Sequence, residues 1–279
     1  MGNFASYDGV ELAYRLAGDG PPLVCLPGGP GRAAEYLGDL GGLDASRQLV
    51  LLDPRGVGLS SDPADSATFR VDRLVHDVEA LRAHLGLERI DLLAHSAGAN
   101  LATLYAAAYP ERISRLVLVT PGLGLIGVDG DEEEFAAALE RLAAEPWYPA
   151  ARAALEKIFT GDLSLDAFRA SRPLYYSRWD DAAQAHATVG VAHRHMAARL
   201  GFFADVDLDP LAIRSALAKL AAPVLLLVGE ADPMVTPADA RRAAEVFNDA
   251  EVVVQPGVGH FPWVDDPAGF AAAVSAFLG

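Results

Sequence analysis

Short apolar runs recur along the chain and alternate with segments of helical periodicity. Six runs have the length and the Val and Leu content of strands: LVCL at 23–26, QLVLLD at 48–53, IDLLAH at 90–95, LVLVT at 116–120, VLLLVG at 224–229 and VVVQ at 252–255. Runs that are apolar almost throughout are typical of parallel strands covered on both faces. Their alternation with helices predicts a three-layer α/β fold around a mostly parallel sheet.

Two further patterns refine this prediction. Apolar side chains recur from Val71 to Leu85 at the 3.6-residue period of an amphipathic helix, and Gly86 stands where a helix commonly ends. At the start of the chain, the segment FASYDGVELAYRL predicts an antiparallel hairpin at one edge of the sheet.

The alternation of strands and helices is interrupted between about Pro121 and Pro210. This segment is rich in alanine, carries aromatic residues and shows helical spacing without a convincing strand. We therefore expect one folding unit in two parts. Residues 1–120 and 211–279 form an α/β core, and residues 121–210 form a helical cap over the ends of the strands.

Charge and hydropathy exclude several classes of partner. The 22 basic and 38 acidic residues give a net charge of −16, which repels nucleic acid and anionic membrane surfaces. No uncharged apolar run reaches the length of about 18 residues that a membrane-spanning helix needs. The N-terminus has no basic segment followed by an apolar stretch, and the single cysteine, Cys25, forms no internal disulfide. We expect a cytoplasmic protein that binds neither nucleic acid nor membrane.

The strand IDLLAH leads into Ala94-His95-Ser96-Ala97-Gly98 and then directly into a helical segment. A strand, a sharp turn and a helix are the context in which an α/β sheet exposes a serine nucleophile. Small residues two positions before and two positions after the serine let the strand and the helix approach closely. The alternative is that Ser96 only caps the helix that follows it.

Two more residues make Ser96 a candidate member of a catalytic triad. Asp232 follows the strand VLLLVG, and His260 follows the next strand, VVVQ. Side chains that follow parallel strands meet at the carboxyl edge of the sheet, where ligand sites of such sheets form. We expect Ser96 to be the nucleophile, His260 its general base and Asp232 the acid that orients the histidine. Taken singly, Asp232 is also explained as a turn residue and His260 as a surface residue.

The chain resembles the α/β-hydrolases over its whole length, and most of all the proline iminopeptidase group. Leu26-Pro27-Gly28-Gly29-Pro30-Gly31 is similar to the HGGPG loop of that group, and Asp53-Pro54-Arg55-Gly56-Val57-Gly58-Leu59-Ser60 is similar to its DxRGxGxS loop. The resemblance implies an oxyanion hole formed by the N–H groups of Gly29 and Ala97. It also implies an acyl-enzyme mechanism that needs no cofactor and no metal. Asp53 and Arg55 are interpreted as residues that hold the shape of their loop.

The cap leaves several substrate classes open. Proline iminopeptidases hold the free amine of the substrate with cap glutamates, one of which follows a tryptophan, and Trp179-Asp180-Asp181 stands at a comparable place with Tyr176 nearby. The resemblance therefore implies an aminopeptidase that releases an N-terminal residue from a short peptide or a small molecule. Because Pro27 replaces the motif histidine and a second glutamate is missing, the alternative is an esterase, lactonase or carbon–carbon bond hydrolase acting on a small uncharged molecule. A non-catalytic binding protein on the same fold is the third interpretation.

Two groups of residues have spacings similar to those of metal ligands. The alternating aspartates at positions 205, 207 and 209 are spaced as in a calcium loop, but Pro210 stands where that loop needs glycine. His186, His193 and His195 lie in the predicted cap; the spacing allows His186 and His193 to share a helix face, but not His193 and His195. We interpret both groups as surface residues.

Overall fold

Eight strands form one sheet in the described part of the chain, residues 1–162, 164–189 and 194–279 of this computed structural model. The strands are β1 Gly2–Ala5, β2 Glu11–Ala17, β3 Pro22–Leu26, β4 Gln48–Leu52, β5 Ile90–His95, β6 Ile113–Val119, β7 Val224–Gly229 and β8 Ala250–Gln255. Their order across the sheet is β1-β2-β4-β3-β5-β6-β7-β8. The pairs β1–β2 and β2–β4 are antiparallel and the others are parallel. The predicted mostly parallel sheet, with an antiparallel hairpin at its edge, is confirmed.

Helices cover both faces of this sheet. In the described residues they are α1 Val71–His84, α2 Gly98–Ala108, α3 Glu132–Glu140, α4 Tyr148–Phe159, α5 Leu165–Ser171, α6 Asp181–Thr188, α7 Met196–Gly201, α8 Pro210–Leu217, α9 Pro237–Ala244, α10 Pro262–Asp265 and α11 Pro267–Leu278. Alternate side chains of β3 enter different apolar clusters, Val24 and Leu26 on one face and Leu23 and Cys25 on the other. The predicted three-layer α/β fold is therefore confirmed. Among the helices described, none is long and apolar enough to cross a membrane.

The helix predicted after Val71 is present and ends as the sequence indicates. α1 buries Val71, Leu74, Val78 and Leu81 against the sheet. Just beyond its end, Gly86 has a φ of +68°, in the left-handed region that glycine enters without steric cost. The chain can therefore turn at once from the helix toward β5.

Between β6 and β7, the described residues form helices and turns and no strand. Some of them pack around a small core of their own, made by Leu139, Leu142, Tyr148, Ala151, Leu155 and Leu174. Backbone hydrogen bonds join this segment to loops that follow strands of the sheet. The N–H of His260 donates to the Tyr175 carbonyl at 2.8 Å, and the N–H of His195 donates to the Gly31 carbonyl at 2.9 Å. The predicted division into a core and a cap over the strand ends remains our proposal.

Candidate active site

Ser96 lies on the sharp turn between β5 and α2. Its φ of +52° is in the left-handed region, which a residue other than glycine adopts only when its surroundings enforce it. The turn fits because its neighbours are small: a Cβ on Gly98 would lie 2.4 Å from the Pro27 carbonyl oxygen, and a Cβ on Gly28 would lie 2.7 Å from the Ser96 Cβ. α2 has no side-chain cap, and Ala97 is its N-cap residue. The hydroxyl of Ser96 is therefore free of the capping role that was the alternative interpretation.

The structure brings Ser96, His260 and Asp232 into one hydrogen-bonded chain. The Ser96 Oγ lies 3.0 Å from the His260 Nε2, and the His260 Nδ1 lies 2.8 Å from the Asp232 Oδ2. Asp232 is fully buried and follows β7, whereas His260 is 5% exposed and follows β8. The second carboxylate oxygen of Asp232 accepts the Met234 N–H at 2.8 Å. This arrangement fixes the ring of His260 with one nitrogen toward the carboxylate and the other toward the serine.

Several backbone contacts hold His260 in this position. Its carbonyl oxygen accepts from the Nε2 of His95 at 3.0 Å and from the hydroxyl of Thr120 at 3.1 Å. The preceding residue, Gly259, donates its N–H to the carboxylate of Asp265 at 2.7 Å. Together with the bond from its own N–H to the Tyr175 carbonyl, these contacts leave the loop of His260 little freedom to move.

His95 and Tyr36 connect the loop of His260 with the glycine-rich loop after β3. Because a carbonyl oxygen only accepts, the Nε2 of His95 carries the proton, and its Nδ1 accepts from the Tyr36 hydroxyl at 2.7 Å. The same hydroxyl accepts the N–H of Gly28 at 2.6 Å. Burial holds the pKa of His95 well below its ordinary value, and the charge of His260 acts in the same direction. His95 is therefore neutral and serves as a fixed bridge between the two loops.

The amides predicted to form the oxyanion hole, those of Gly29 and Ala97, both belong to residues that line the cavity beside Ser96. Within the described part of the chain, neither amide donates a hydrogen bond. Gly29 has a φ of +70°, a conformation that needs glycine. An oxyanion hole requires two N–H groups without other partners near the nucleophile, and the amides of Gly29 and Ala97 meet this requirement.

Asp53 and Arg55 contribute to the loop after β4 and do not line this cavity. The Asp53 carboxylate accepts the N–H groups of Ala34 and Leu59 at 2.8 and 3.1 Å. Arg55 is buried and forms ion pairs with Asp8 and Asp77. These contacts agree with the interpretation of both residues as holding the shape of their loop.

The cavity beside Ser96 has a volume of about 300 Å³. Of the cap residues predicted to bind substrate, Tyr176 lines this cavity, whereas Trp179 and Asp180 do not. Trp179 packs on the ring of Tyr176 with 5.4 Å between centroids. Asp180 caps α6 by accepting the Ala183 N–H at 3.0 Å, and its side chain is 52% exposed. Asp180 is thus occupied by a structural contact away from the cavity.

Four basic side chains that sequence reasoning did not single out line the same cavity: Arg32, Arg172, Arg194 and Arg199. We call this set the arginine wall. None of its members forms an ion pair with a carboxylate in the described part of the chain. The one available signal was that Arg32 directly follows the glycine-rich loop. Nothing in the local sequence of the cap indicates which of its arginines point inward.

His186 and His195, two of the three histidines whose spacing was weighed as a metal site, have other partners. His186, which is half-buried and so not the surface residue we expected, places its Nε2 2.9 Å from the Tyr36 carbonyl and its Nδ1 2.7 Å from the Tyr176 hydroxyl. The Nε2 of His195 lies 3.1 Å from a carboxylate oxygen of Asp62. His193 lies outside the described residues. Within those residues, no group of three or more His, Cys, Asp or Glu side chains is placed to hold a metal ion.

Comparisons with known proteins agree with this geometry. Residues 21–267 match the model of a protein family described as the alpha/beta hydrolase fold. Over 286 aligned residues, the chain is 30% identical to the N-formylmaleamate deformylase of Pseudomonas putida, and the alignment covers 99% of this chain and 96% of that enzyme.

Two further relatives cover different shares of the chain. The proline iminopeptidase of Heyndrickxia coagulans is 34% identical over 106 residues, which are 38% of this chain and only 37% of that enzyme. The match thus spans little more than a third of that relative's length. Among solved structures, an esterase from Rhodococcus sp. ECU1013 superimposes with a TM-score of 0.75 at 24% identity, over 99% of this chain and 98% of that one. This last likeness is one of fold.

Proposed function

The chain belongs to the α/β-hydrolase fold family of enzymes, and from that membership we propose that it is a serine hydrolase that works through an acyl-enzyme. Ser96 is the nucleophile, His260 the general base and Asp232 the acid that orients it. The observation that carries the proposal is the hydrogen-bonded chain from Ser96 through His260 to buried Asp232, at 3.0 and 2.8 Å. A non-catalytic binding protein has no need of this arrangement.

The first half of the reaction forms the acyl-enzyme. The Nε2 of His260 takes the proton of the Ser96 hydroxyl while the Oγ attacks the acyl carbon of the substrate. The carboxylate of Asp232 stabilises the imidazolium that forms. The N–H groups of Gly29 and Ala97 donate to the oxyanion of the tetrahedral intermediate, and His260 then returns the proton to the leaving alcohol or amine.

The second half of the reaction releases the acid. His260 takes a proton from a water molecule, whose oxygen attacks the acyl carbon, and the Ser96 oxygen leaves and regains its proton from the imidazolium. The same three side chains serve both halves. The residues that perform the two steps are all supplied by this chain.

Two substrate classes have support. The iminopeptidase relative and the matched loops favour an aminopeptidase that releases an N-terminal residue. The cavity favours a small ester or amide without a free amine, because it is lined by four arginines and, among the described residues, by no carboxylate that would hold an ammonium group. The deformylase aligned over nearly the whole chain acts, by its name, on N-formylmaleamate. We propose the small ester or amide as the substrate and keep the aminopeptidase as the second candidate.

The test compares kcat/KM for three substrates: proline 4-nitroanilide, 4-nitrophenyl acetate and N-formylmaleamate. Each is measured with the unaltered protein, with Ser96→Ala, and with Ser215→Ala as a matched control at an exposed position of α8. We expect cleavage of the acetate or of N-formylmaleamate that disappears in Ser96→Ala and persists in Ser215→Ala. Preferential cleavage of the anilide would establish the aminopeptidase instead. Activity that survives in Ser96→Ala would overturn the proposed mechanism.

A further inference from the structure

The arginine wall concentrates positive charge in a cavity of a protein whose net charge is −16. Arg32 belongs to the loop after β3, Arg172 follows the last residue of α5, and Arg194 and Arg199 belong to the segment that contains α7. The cavity that they share is the one that contains Ser96 and His260. The charge is thus placed beside the residues proposed to carry the chemistry.

Arg32 is held in place without a counterion. It is only 6% exposed, and its guanidinium carbon lies 3.6 Å from the centroid of the Tyr36 ring. One terminal nitrogen donates to the Val189 carbonyl at 3.3 Å, while the buried Nε has no hydrogen-bond partner among the described residues. Stacking on a ring orients a guanidinium but leaves its charge in place. Arg32 therefore retains donors and a full charge for a further acceptor.

Arg194 and Arg199 lie where this cavity adjoins a second one of about 280 Å³. The guanidinium of Arg199 lies over the Phe168 ring, 4.1 Å from its centroid. The Nε of Arg194 is buried and has no partner in the part of the chain that the structure describes. Arg199 is thus positioned by packing on a ring, like Arg32, and neither Arg194 nor Arg199 pairs with a carboxylate among the described residues.

The pKa values of the arginine wall reflect this arrangement. Burial lowers the pKa of Arg32 to about 10, and the charge of Arg194 acts in the same direction. Burial also lowers the pKa values of Arg172 and Arg199, again with a contribution from Arg194. All four remain protonated at neutral pH. Their mutual repulsion is therefore a cost to the folded protein that a bound anion offsets.

Besides Arg32, the arginines that are buried in the described part of the chain are Arg47 and Arg55, and both are neutralised by carboxylates. Arg47 pairs with Asp91 at 3.1 Å, and Arg55 pairs with both Asp8 and Asp77. A chain with 38 acidic residues has ample means to neutralise four more arginines. A buried charge needs a partner. Four arginines that have no carboxylate partner among the described residues, beside the candidate nucleophile, therefore point to a partner that arrives with the substrate.

We infer that the arginine wall binds a carboxylate of the substrate, so that the substrate is a small ester or amide carrying at least one carboxylate besides its scissile bond. This inference rests on the proposed function, because it places the carboxylate next to the acyl group that Ser96 attacks. Guanidinium groups bind carboxylates through paired N–H···O bonds. The cavity volume of about 300 Å³ is suited to a small molecule. A substrate with a protonated amine carries the same charge as the wall and is repelled.

Mono-4-nitrophenyl adipate and its methyl ester test the inference, because they differ in one negative charge. Their kcat/KM values are compared in the unaltered protein and in Arg172→Met, with hydrolysis in Ser96→Ala subtracted. Arg169→Met is the matched control, because Arg169 lies in α5, shortly before Arg172, but is 59% exposed and pairs with Asp166. We expect the unaltered protein to prefer the charged ester at least tenfold. We expect Arg172→Met to lose at least tenfold on that ester alone, Arg172→Lys to recover part of the loss, and Arg169→Met to change neither substrate.

Equal kcat/KM values for the two esters, or a preference for the neutral ester, would overturn the inference and leave the proposed function standing. Absence of Ser96-dependent cleavage of both esters would count against the proposed function. If neither ester is cleaved in this way, the inference about the arginine wall is tested by binding alone. The Ser96→Ala protein is titrated in a calorimeter with adipate and with adipamide, its uncharged counterpart. Binding of adipate that adipamide does not share, and that weakens at least tenfold in Arg172→Met, supports the inference. Equal binding of both compounds, or binding of neither, contradicts it.

Discussion

The triad residues and the arginine wall border the same cavity but are built in opposite ways. Ser96, Asp232 and His260 follow strands of one sheet, and each has a hydrogen-bonded partner within the chain. The arginine wall comes mainly from the segment between β6 and β7, and its guanidinium groups have no carboxylate partners among the described residues. Under the proposed function, the chain supplies both partners of each catalytic contact, whereas the arginine wall is left for a carboxylate of the substrate to pair with.

The largest expected effect follows from removing the charge of Asp232, the buried end of the hydrogen-bonded chain that begins at Ser96. Asp232→Asn keeps the shape of the side chain but removes the charge that stabilises the His260 imidazolium and favours the wrong tautomer of the ring. We expect kcat for a nitrophenyl ester to fall by about 10⁴-fold with little change in KM. A fall of less than tenfold would show that Asp232 does not orient His260 during the reaction.

A smaller effect is expected from pushing the glycine-rich loop away from the serine. A Cβ at Gly28 would lie 2.6 Å from the His95 carbonyl oxygen and 2.7 Å from the Ser96 Cβ. Gly28→Ala therefore displaces the amide of Gly29 from the developing oxyanion, and we expect kcat to fall by about 10²-fold. Gly130→Ala is the control, because a Cβ there meets nothing within 4 Å. If both variants keep full activity, the close approach of this loop has no catalytic role.

The pH dependence of stability tests whether His186, which contacts Tyr36 and Tyr176, is neutral in the folded protein. Burial, followed by the charge of Arg32, lowers the pKa of His186 to about 4. Between pH 6.5 and 4, the unfolded chain takes up a proton at this residue and the folded chain does not, so the free energy of unfolding falls as the pH falls. We expect His186→Gln to reduce this dependence of the free energy of unfolding on pH by roughly 1 kcal/mol per pH unit. Urea titrations at several pH values measure it. An unchanged slope would show that His186 is protonated in the folded protein.

The smallest effect is expected in the arginine wall without an anion present. Arg172→Met removes one charge from a repelling set and leaves an apolar side chain of similar length. We expect a stabilisation of about 1 kcal/mol, which corresponds to a rise in Tm of about 2 °C. Differential scanning fluorimetry in a chloride buffer of low ionic strength measures it, with Arg169→Met beside it. A lower Tm for Arg172→Met would mean that this arginine has a stabilising partner within the protein.

The sheet and the triad residues were open to prediction from sequence because their signals are local. Each of Ser96, Asp232 and His260 follows an apolar run of strand length. Because these strands are parallel, their carboxyl ends lie at the same edge of the sheet, which brings the three side chains together. The amides of Gly29 and Ala97 were predicted from the resemblance of their loops. Their catalytic roles stay predictions until they are measured.

The arginine wall was not predictable in the same way. The segment 121–210 contains seven arginines, and only the packing of α5, α7 and their flanking turns determines that Arg172, Arg194 and Arg199 line the cavity. Asp180 illustrates the same difficulty in reverse. Its position suggested an amine-binding acid, yet its side chain accepts the N–H of Ala183 in the first turn of α6, as a polar residue before a helix commonly does. The predicted cytoplasmic location and the absence of nucleic-acid partners stay predictions.

The proposal that Ser96 is the nucleophile is tested by locating a covalent adduct after reaction with a fluorophosphonate. Intact-mass and peptide mass spectrometry of the labelled protein report how many residues react and which ones. We expect one adduct, on the peptide that contains Ser96, absent from Ser96→Ala and formed far more slowly in Asp232→Asn. An adduct that persists in Ser96→Ala, or a protein that does not react at all, would show that Ser96 is not the nucleophile.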